Sequence, residues 1–330
     1  MSKTALFCLG AGRLTFLALP IAMIAISGGG VALLMTLILL WTLGEGLALP
    51  LWTSFVAGLV SAEDRGRWLA TRATAATGAS AAVMAVVFIL LRFASKESVL
   101  PAAYGCAAAG GIVSWLQLRT LFRISKEAPI PAAKKLKDLP ASRSARRFLA
   151  SVVFFWFGAG LIWPILPPYI IHELGAPTSY FAGAAVVASF SAVVVQRRWG
   201  RLVDRGGASK TLFIAGVGTA IVPLLWALTP VYWLGFGIEV VASSSWPGHM
   251  LGLTMRSVEL AETETERPQM LAWTNLAQGT GACVSPLVSS IVVGYTGTIP
   301  ILVIAALCRL AASLLLGGFS FQSVRRHATL

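Results

Sequence analysis

The chain has 330 residues, of which 57% are hydrophobic and only 12% charged, and its formal net charge is +13. Soluble domains carry about 25% charged residues, so this composition excludes a cytosolic enzyme, a disordered tail and a secreted disulfide scaffold. What remains is a polytopic membrane protein, with a mean hydropathy of +0.79, in which excess Lys and Arg mark cytoplasmic loops rather than nucleic-acid binding.

A membrane helix needs about 20 mostly apolar residues. Ten stretches meet that need, at 5–27, 31–59, 69–93, 99–122, 148–171, 177–196, 211–229, 231–254, 270–292 and 299–319. The expected fold is therefore all-α. The first stretch contains Arg13 and runs on into further apolar sequence, which is not the pattern of a cleavable signal peptide. The second is longer than a span requires and is expected to tilt or bend near Pro50.

Between the fourth and fifth stretches lies the longest polar connection. Arg123 to Arg147 includes Lys126, Lys134, Lys135, Lys137, Arg143, Arg146 and Arg147, and Pro129, Pro131 and Pro140 oppose a continuous helix. This reads as a solvated linker lying against anionic headgroups. No aromatic interleaves the charges as base stacking would favour, so no nucleic-acid partner is expected. The chain is expected to divide into a bundle over 1–122, a linker over 123–146 and a second bundle over 147–330. An even number of spans puts both termini on one side. The basic loops place that side in the cytoplasm, with only Arg92 and Lys96 near the outer face.

Cys8, Cys106, Cys283 and Cys308 are scattered singly, as are His172, His249 and His327. No cluster has metal-ligand spacing, and no nucleotide loop, zinc motif or nucleophile elbow is present. Neither an enzyme nor a cofactor is expected.

A weak internal repeat links the second and eighth spans. Glu45 precedes Trp52 by seven residues, as Glu239 precedes Trp246, which is two helical turns along one face. After each comes a cytoplasmic loop ending in Arg and then a helix rich in small residues, beginning Arg65-Gly66-Arg67-Trp68 and Arg267-Pro268-Gln269-Met270. The offset of six spans points to two six-helix halves, the first lacking its first two helices.

The sixth and seventh spans are joined by Gly200-Arg201-Leu202-Val203-Asp204-Arg205-Gly206-Gly207-Ala208-Ser209-Lys210. This resembles the G-x-x-x-D-R-x-G-x-x-K/R cytoplasmic signature of the major facilitator superfamily, in its second-half copy. Arg65, Arg67 and Arg72 resemble the basic stretch that begins that family's fifth helix. Pro164, Pro167, Pro168 and Tyr169 look like part of its seventh. The resemblance implies a two-bundle transporter with about ten membrane helices here, four in an incomplete first bundle and six in the second. The first signature copy would precede the first span, where the chain reads Met1-Ser2-Lys3-Thr4. The expectation is a misplaced start, a truncated gene or a shortened relative.

The resemblance also implies a cytoplasmic gating motif at Gly200, Asp204, Arg205, Gly207 and Lys210, with Arg65, Arg67 and Arg72 in the first half. Asp204 is expected to accept from helix N-terminal amides or to pair with a neighbouring basic residue.

An ionisable group inside a membrane is costly and marks a functional site by default. Glu45 and Glu239 are the acids inside spans, and the resemblance puts them on the cavity-lining fourth and tenth helices. They read either as substrate or proton sites or as structural hydrogen-bonding groups. Trp52 and Trp246 read as apolar walls or as interfacial anchors. Ser243, Ser244, Ser245 and His249 make the eighth span polar, which suits a wet cavity and also helix packing. Asn275, Gln278, Trp156 and Trp163 are weaker candidates. Arg13 and Arg309 are expected to snorkel or to meet carbonyls. The run Glu259, Glu262, Glu264 and Glu266 is expected in a solvated loop or, with Arg256 and Arg267 nearby, in inter-bundle salt bridges on the cytoplasmic face.

Two functions are weighed. The first is secondary active transport of a small solute by alternating access, with protons as the coupling ion. The protein would be a monomer in the lipid bilayer of a bacterial inner membrane. The second is a non-transporting relative serving as an assembly or scaffold factor.

Overall fold

The structure is a computed structural model, and it describes residues 33, 35–42, 65–124, 140, 142–261 and 266–318. The first expected span lies outside these residues, as does most of the second, of which 35–42 is helical. The chain divides into two compact units. One comprises Met1–Ala79 and Ala85–Ala133, the other Ser80–Met84 and Lys134–Leu330. Every regular element among the described residues is helical.

Among the described residues, two long helices precede the linker. Helix α1 covers Arg65–Phe93 and α2 covers Lys96–Ile124. They are parted by a short turn in which the Ser98 hydroxyl donates to the Ser95 carbonyl oxygen at 2.9 Å. Arg92 lies over the Phe88 ring, 5.3 Å from its centroid.

The second unit opens with α3, Arg143–Gly160. The sequence placed one span over 148–171, but α3 stops at Gly160 and is followed by turns and a π-helical segment at Tyr169–Glu173. Pro164, Pro167 and Pro168 have no amide hydrogen to give the carbonyls one turn back, so a regular helix cannot continue through them.

Helix α4 is Ser179–Leu228, divided at Gly207, which adopts φ 78° and ψ 163°. The expected loop over 197–210 is therefore largely helical. The first limb, 179–206, continues because nothing from Arg197 to Arg205 breaks a helix. The reversal is confined to Gly207, at a positive φ that a residue with a Cβ adopts only under strain.

Helices α5 (Gly235–Glu259), α6 (Arg267–Thr296) and α7 (Thr298–Gly318) complete the unit. With α4 counted as two limbs, the described residues of this unit form six long helices. Gly297 at φ 75° ends α6 and turns the chain directly into α7.

Small residues set the interhelical distances, because lipid supplies no hydrophobic force between helices and close backbone approach must hold them together. A Cβ at Gly281 of α6 would meet the Val153 carbonyl and lie 2.8 Å from the Phe157 nitrogen of α3. One at Gly158 would lie 2.8 Å from Cys308 Cβ of α7. Helix α5 packs most extensively on α4, α7 on α4 and α3, and α3 on α6.

One apolar cluster centres on Trp226, Tyr180, Tyr169 and Leu302, and a second on Phe148, Val152, Leu212 and Leu253. The Tyr169 hydroxyl donates to the Trp226 carbonyl oxygen at 3.3 Å.

Because the helices alternate in direction, the start of α3, the break at Gly207, the end of α5, the start of α6 and the end of α7 share one end of the unit. Among its described residues, every Lys and Arg except Arg309 lies toward that end. By length and composition, five helices can cross a membrane: Ala75–Phe93, Lys96–Gln117, Ser179–Leu228, Gln269–Thr296 and Thr298–Gly317.

Candidate functional site

Helices α3 and α5 are absent from those five spans, and both carry polar residues. Helix α3 begins with Arg143, Arg146 and Arg147. Helix α5 contains Glu239, Ser243, Ser244, Ser245 and His249. A helix this polar inside an otherwise apolar unit costs insertion free energy, which is the reason to look for a site along it.

The helical register sorts those residues into separate faces. Glu239, Ser243 and Trp246, at i, i+4 and i+7, lie on one face and are each half-buried. Trp246 meets Trp156 of α3 edge-on, with ring centroids 5.3 Å apart, and Trp156 meets Trp163 at 6.1 Å in the same manner. The Trp156 indole nitrogen is buried and has no hydrogen-bond partner. Pro247, within α5, has no amide hydrogen to give the Ser243 carbonyl one turn back. The face thus carries a carboxylate, a hydroxyl and an indole ring that meets Trp156.

His249 belongs to the next face. It is 1% exposed and stacks on Phe155 of α3, with centroids 3.8 Å apart and planes inclined by 14°. Neither ring nitrogen has a hydrogen-bond partner. One turn along α3 from Phe155, the Ala159 carbonyl oxygen accepts from the Arg309 guanidinium at 3.4 Å. The same side chain donates to the Thr219 carbonyl oxygen of α4 at 3.0 Å. Arg309 is 7% exposed and pairs with carbonyls, one of the two fates expected for it. It thereby ties α7 to α3 and α4.

Ser244 points a third way. Its carbonyl oxygen accepts from the Trp199 indole at 2.6 Å, and the Trp199 ring covers Gly248, where a Cβ would lie 2.7 Å from the ring carbon Cε3. Ser245 faces Gly218 of α4. Asn275 is exposed on α6 and accepts from Gln278 at 3.3 Å, apart from the α5 face.

In the signature region, Gly200 lies within the first limb of α4, and Asp204, Arg205 and Lys210 are exposed. The second limb's first amide, on Ala208, donates to Glu259 Oε1 at 3.4 Å, while Arg256 donates to Glu259 Oε2 at 2.9 Å. Glu259 thus ends α5 rather than standing in a loop, pairs with Arg256, one of the two basic residues expected near it, and also meets a helix N-terminus. Arg65, Arg67 and Arg72 lie in α1, and their side chains fall outside the described residues, as do Glu45 and Trp52 entirely.

Phe155, Trp199 and Glu259 were not singled out as site residues by the sequence. Trp199 had a signal in its place immediately before Gly200. Phe155 sits in an aromatic run, 154–157, that looks like lipid-facing bulk until its partner is known. Among the described residues no group of His, Cys, Asp and Glu could hold a metal ion.

The model of the Major Facilitator Superfamily matches residues 148–328, more than half of the chain. No curated protein sequence matches it. The fold is similar to that of the Escherichia coli fucose:proton symporter FucP. A single-substitution variant of that symporter aligns at 17% identity and a TM-score of 0.60, covering 96% of this chain and 82% of that one. FucP in its outward conformation aligns equally, over 81% of its length. A bacterial homologue of the iron transporter ferroportin, inward-facing, aligns at 14% identity and a TM-score of 0.62, over 94% and 82% of the two chains. At these identities the likeness is one of fold.

Proposed function

Because the chain belongs to the major facilitator superfamily of membrane transporters, we propose that it is a secondary transporter that moves a small solute by alternating access, coupled to protons. The observation that carries this reading is the α5 face, where Glu239, Ser243 and Trp246 align and Trp246 meets Trp156, whose indole N–H has no partner. A buried polar group left unpaired costs about 1–3 kcal/mol, and a ligand that pairs it recovers that cost.

Glu239 is the coupling group in this reading, with Glu45 its counterpart in the first bundle. Ser243 and the Trp156 indole orient the solute by hydrogen bonds, and Trp246 is an apolar wall, with Trp52 the matching residue in the first bundle's sequence. Ser244, His249 and Asn275 act around this face. The signature residues Gly200, Asp204, Arg205, Gly207 and Lys210, with Arg65, Arg67 and Arg72, bias the conformational equilibrium through contacts made in one state only. The bundle boundaries are those of the sequence, 1–122 and 147–330. The protein works as a monomer in a bacterial inner membrane, with both termini cytoplasmic.

The test is made in proteoliposomes with a pH-sensitive dye inside. The panel is L-fucose and other sugars, then amines and lipophilic drugs. The wild-type protein should move protons only when a panel solute is added. Glu239→Gln should retain exchange of the same solute while losing the proton signal. Proton movement by Glu239→Gln equal to wild type would remove Glu239 from the coupling role.

A further inference from the structure

At the end of the second unit away from the basic residues, the first turn of α4 meets the first turn of α5. Tyr180 of α4 is 3% exposed, and its ring packs among Phe181, Tyr232 and Phe236, with ring centroids 5.5, 5.9 and 5.0 Å away. That apolar company accounts for the ring but not for the hydroxyl, which is buried and has no hydrogen-bond partner. A buried hydroxyl left unpaired is destabilising, and phenylalanine would fill the same space without it. The hydroxyl lacks an acceptor.

Its position points to one. A Cβ at Gly235 would meet the Tyr180 hydroxyl, so that oxygen lies directly against the α5 backbone. Glu239 stands one turn further along the same face of α5. A long helical side chain leans back toward the helix N-terminus, over the residue four positions before its own. For Glu239 that residue is Gly235, which has no side chain to stand between the carboxylate and the hydroxyl. The Glu239 charge acts on the Tyr180 hydroxyl. Among the described residues, no hydrogen bond or salt bridge engages the carboxylate.

Other groups at this end are placed differently. The Trp226 indole nitrogen is also buried and unpaired, but Trp226 turns a ring carbon, Cη2, toward Gly235 rather than that nitrogen. Tyr169 donates to the Trp226 carbonyl oxygen, and Glu173 accepts from Thr298 at 3.0 Å. His172 and Tyr295 are exposed, and Tyr232 is half-buried beside Tyr180.

We propose that Tyr180 is a positioning residue for Glu239. Its hydroxyl donates to the ionised carboxylate in one conformation of the transport cycle and is released, as here, in another. A donor to the charged form of a carboxylate favours that form, so the pairing links the charge on Glu239 to the packing of α4 against α5. This role rests on the transport reading, whereas the contact itself can be tested without a solute.

The test uses the full chain in liposomes and dicyclohexylcarbodiimide, an apolar reagent that attacks protonated carboxyl groups. Peptide mass spectrometry reads the labelling rate at Glu239 at a fixed neutral pH, with Glu239→Gln as the blank. Tyr180→Phe keeps the ring and removes the donor, so labelling should be about tenfold faster than in wild type. Glu239→Asp withdraws the carboxylate by one methylene. Its labelling should rise comparably, and the double variant should show no further increase. Tyr232→Phe removes the neighbouring hydroxyl and should leave the rate unchanged.

Equal labelling of wild type and Tyr180→Phe, whether both react or neither does, would overturn the pairing. So would an equal rise in Tyr232→Phe, or rises that multiply in the double variant. Should Tyr180→Phe not fold, Glu239→Asp decides alone, and a wild-type rate there would overturn the pairing. Faster labelling in Tyr180→Phe with no solute carried would count against the transport reading and not the pairing. Solute transport with unchanged labelling would count against the pairing alone.

Discussion

The Trp199 indole donates to the Ser244 carbonyl oxygen at 2.6 Å, and its ring closes over Gly248 one turn further along α5. This single side chain joins the residue before the signature region to the middle of the polar helix. The contact ties the first limb of α4 to α5. Trp199→Phe keeps most of the packing and removes the donor. It should cost about 1 kcal/mol in mixed-detergent unfolding. Gly248→Leu, which drives a side chain into the indole, should cost about 3 kcal/mol. Equal effects of the two would show that the ring, not the hydrogen bond, is what α5 needs.

His249 combines close stacking on Phe155 with two unpaired ring nitrogens. Packing and polarity therefore make opposite predictions for different substitutions. His249→Phe keeps an aromatic plane and removes the unpaired polar atoms, so stability should be unchanged or raised. His249→Ala leaves a void between α3 and α5 and should cost about 3 kcal/mol. Unfolding midpoints of the two variants check this. If His249→Phe is as destabilising as His249→Ala, the imidazole has a polar role in the fold.

At Gly281, α6 approaches the α3 backbone so closely that the Val153 carbonyl and the Phe157 nitrogen stand in the path of any Cβ. Backbone atoms of a packed helix cannot yield as a flexible side-chain end can. Gly281→Val should therefore part α3 from α6, costing at least about 3 kcal/mol, and should reduce the monodisperse peak in size-exclusion chromatography to aggregate. Gly78→Val, with open space around its Cβ position, is the matched control and should elute as wild type.

Much of this architecture was legible in the sequence because the bilayer imposes one length scale on every helix. The expected span over 299–319 became Thr298–Gly318, and that over 270–292 became Arg267–Thr296. Where the sequence reading slipped, local chemistry overrode that scale. Three prolines cut short the span over 148–171. The helix ran past Arg197 because charge alone does not end a helix, and the chain reversed only at Gly207. Glu259 looked like part of an acidic loop because its partner, the Ala208 amide, lies 51 residues away and carries no side-chain signal. The α5 face was readable from the spacing of Glu239 and Trp246. The company of Phe155 and Trp156 was not, since aromatic residues in an apolar helix look alike whether they meet lipid or another helix.

The most direct test of the central claim, that this chain moves a solute across a membrane, is counterflow in proteoliposomes. Liposomes preloaded with each unlabelled panel solute are diluted into its radiolabelled form, with protein-free liposomes and Glu239→Gln in parallel. The account predicts a transient accumulation of label for at least one solute with the wild-type chain. It also predicts counterflow for Glu239→Gln, and none without protein. A stably folded chain that gives the protein-free trace with every solute would contradict it and point to a membrane protein that holds partners rather than carrying solutes.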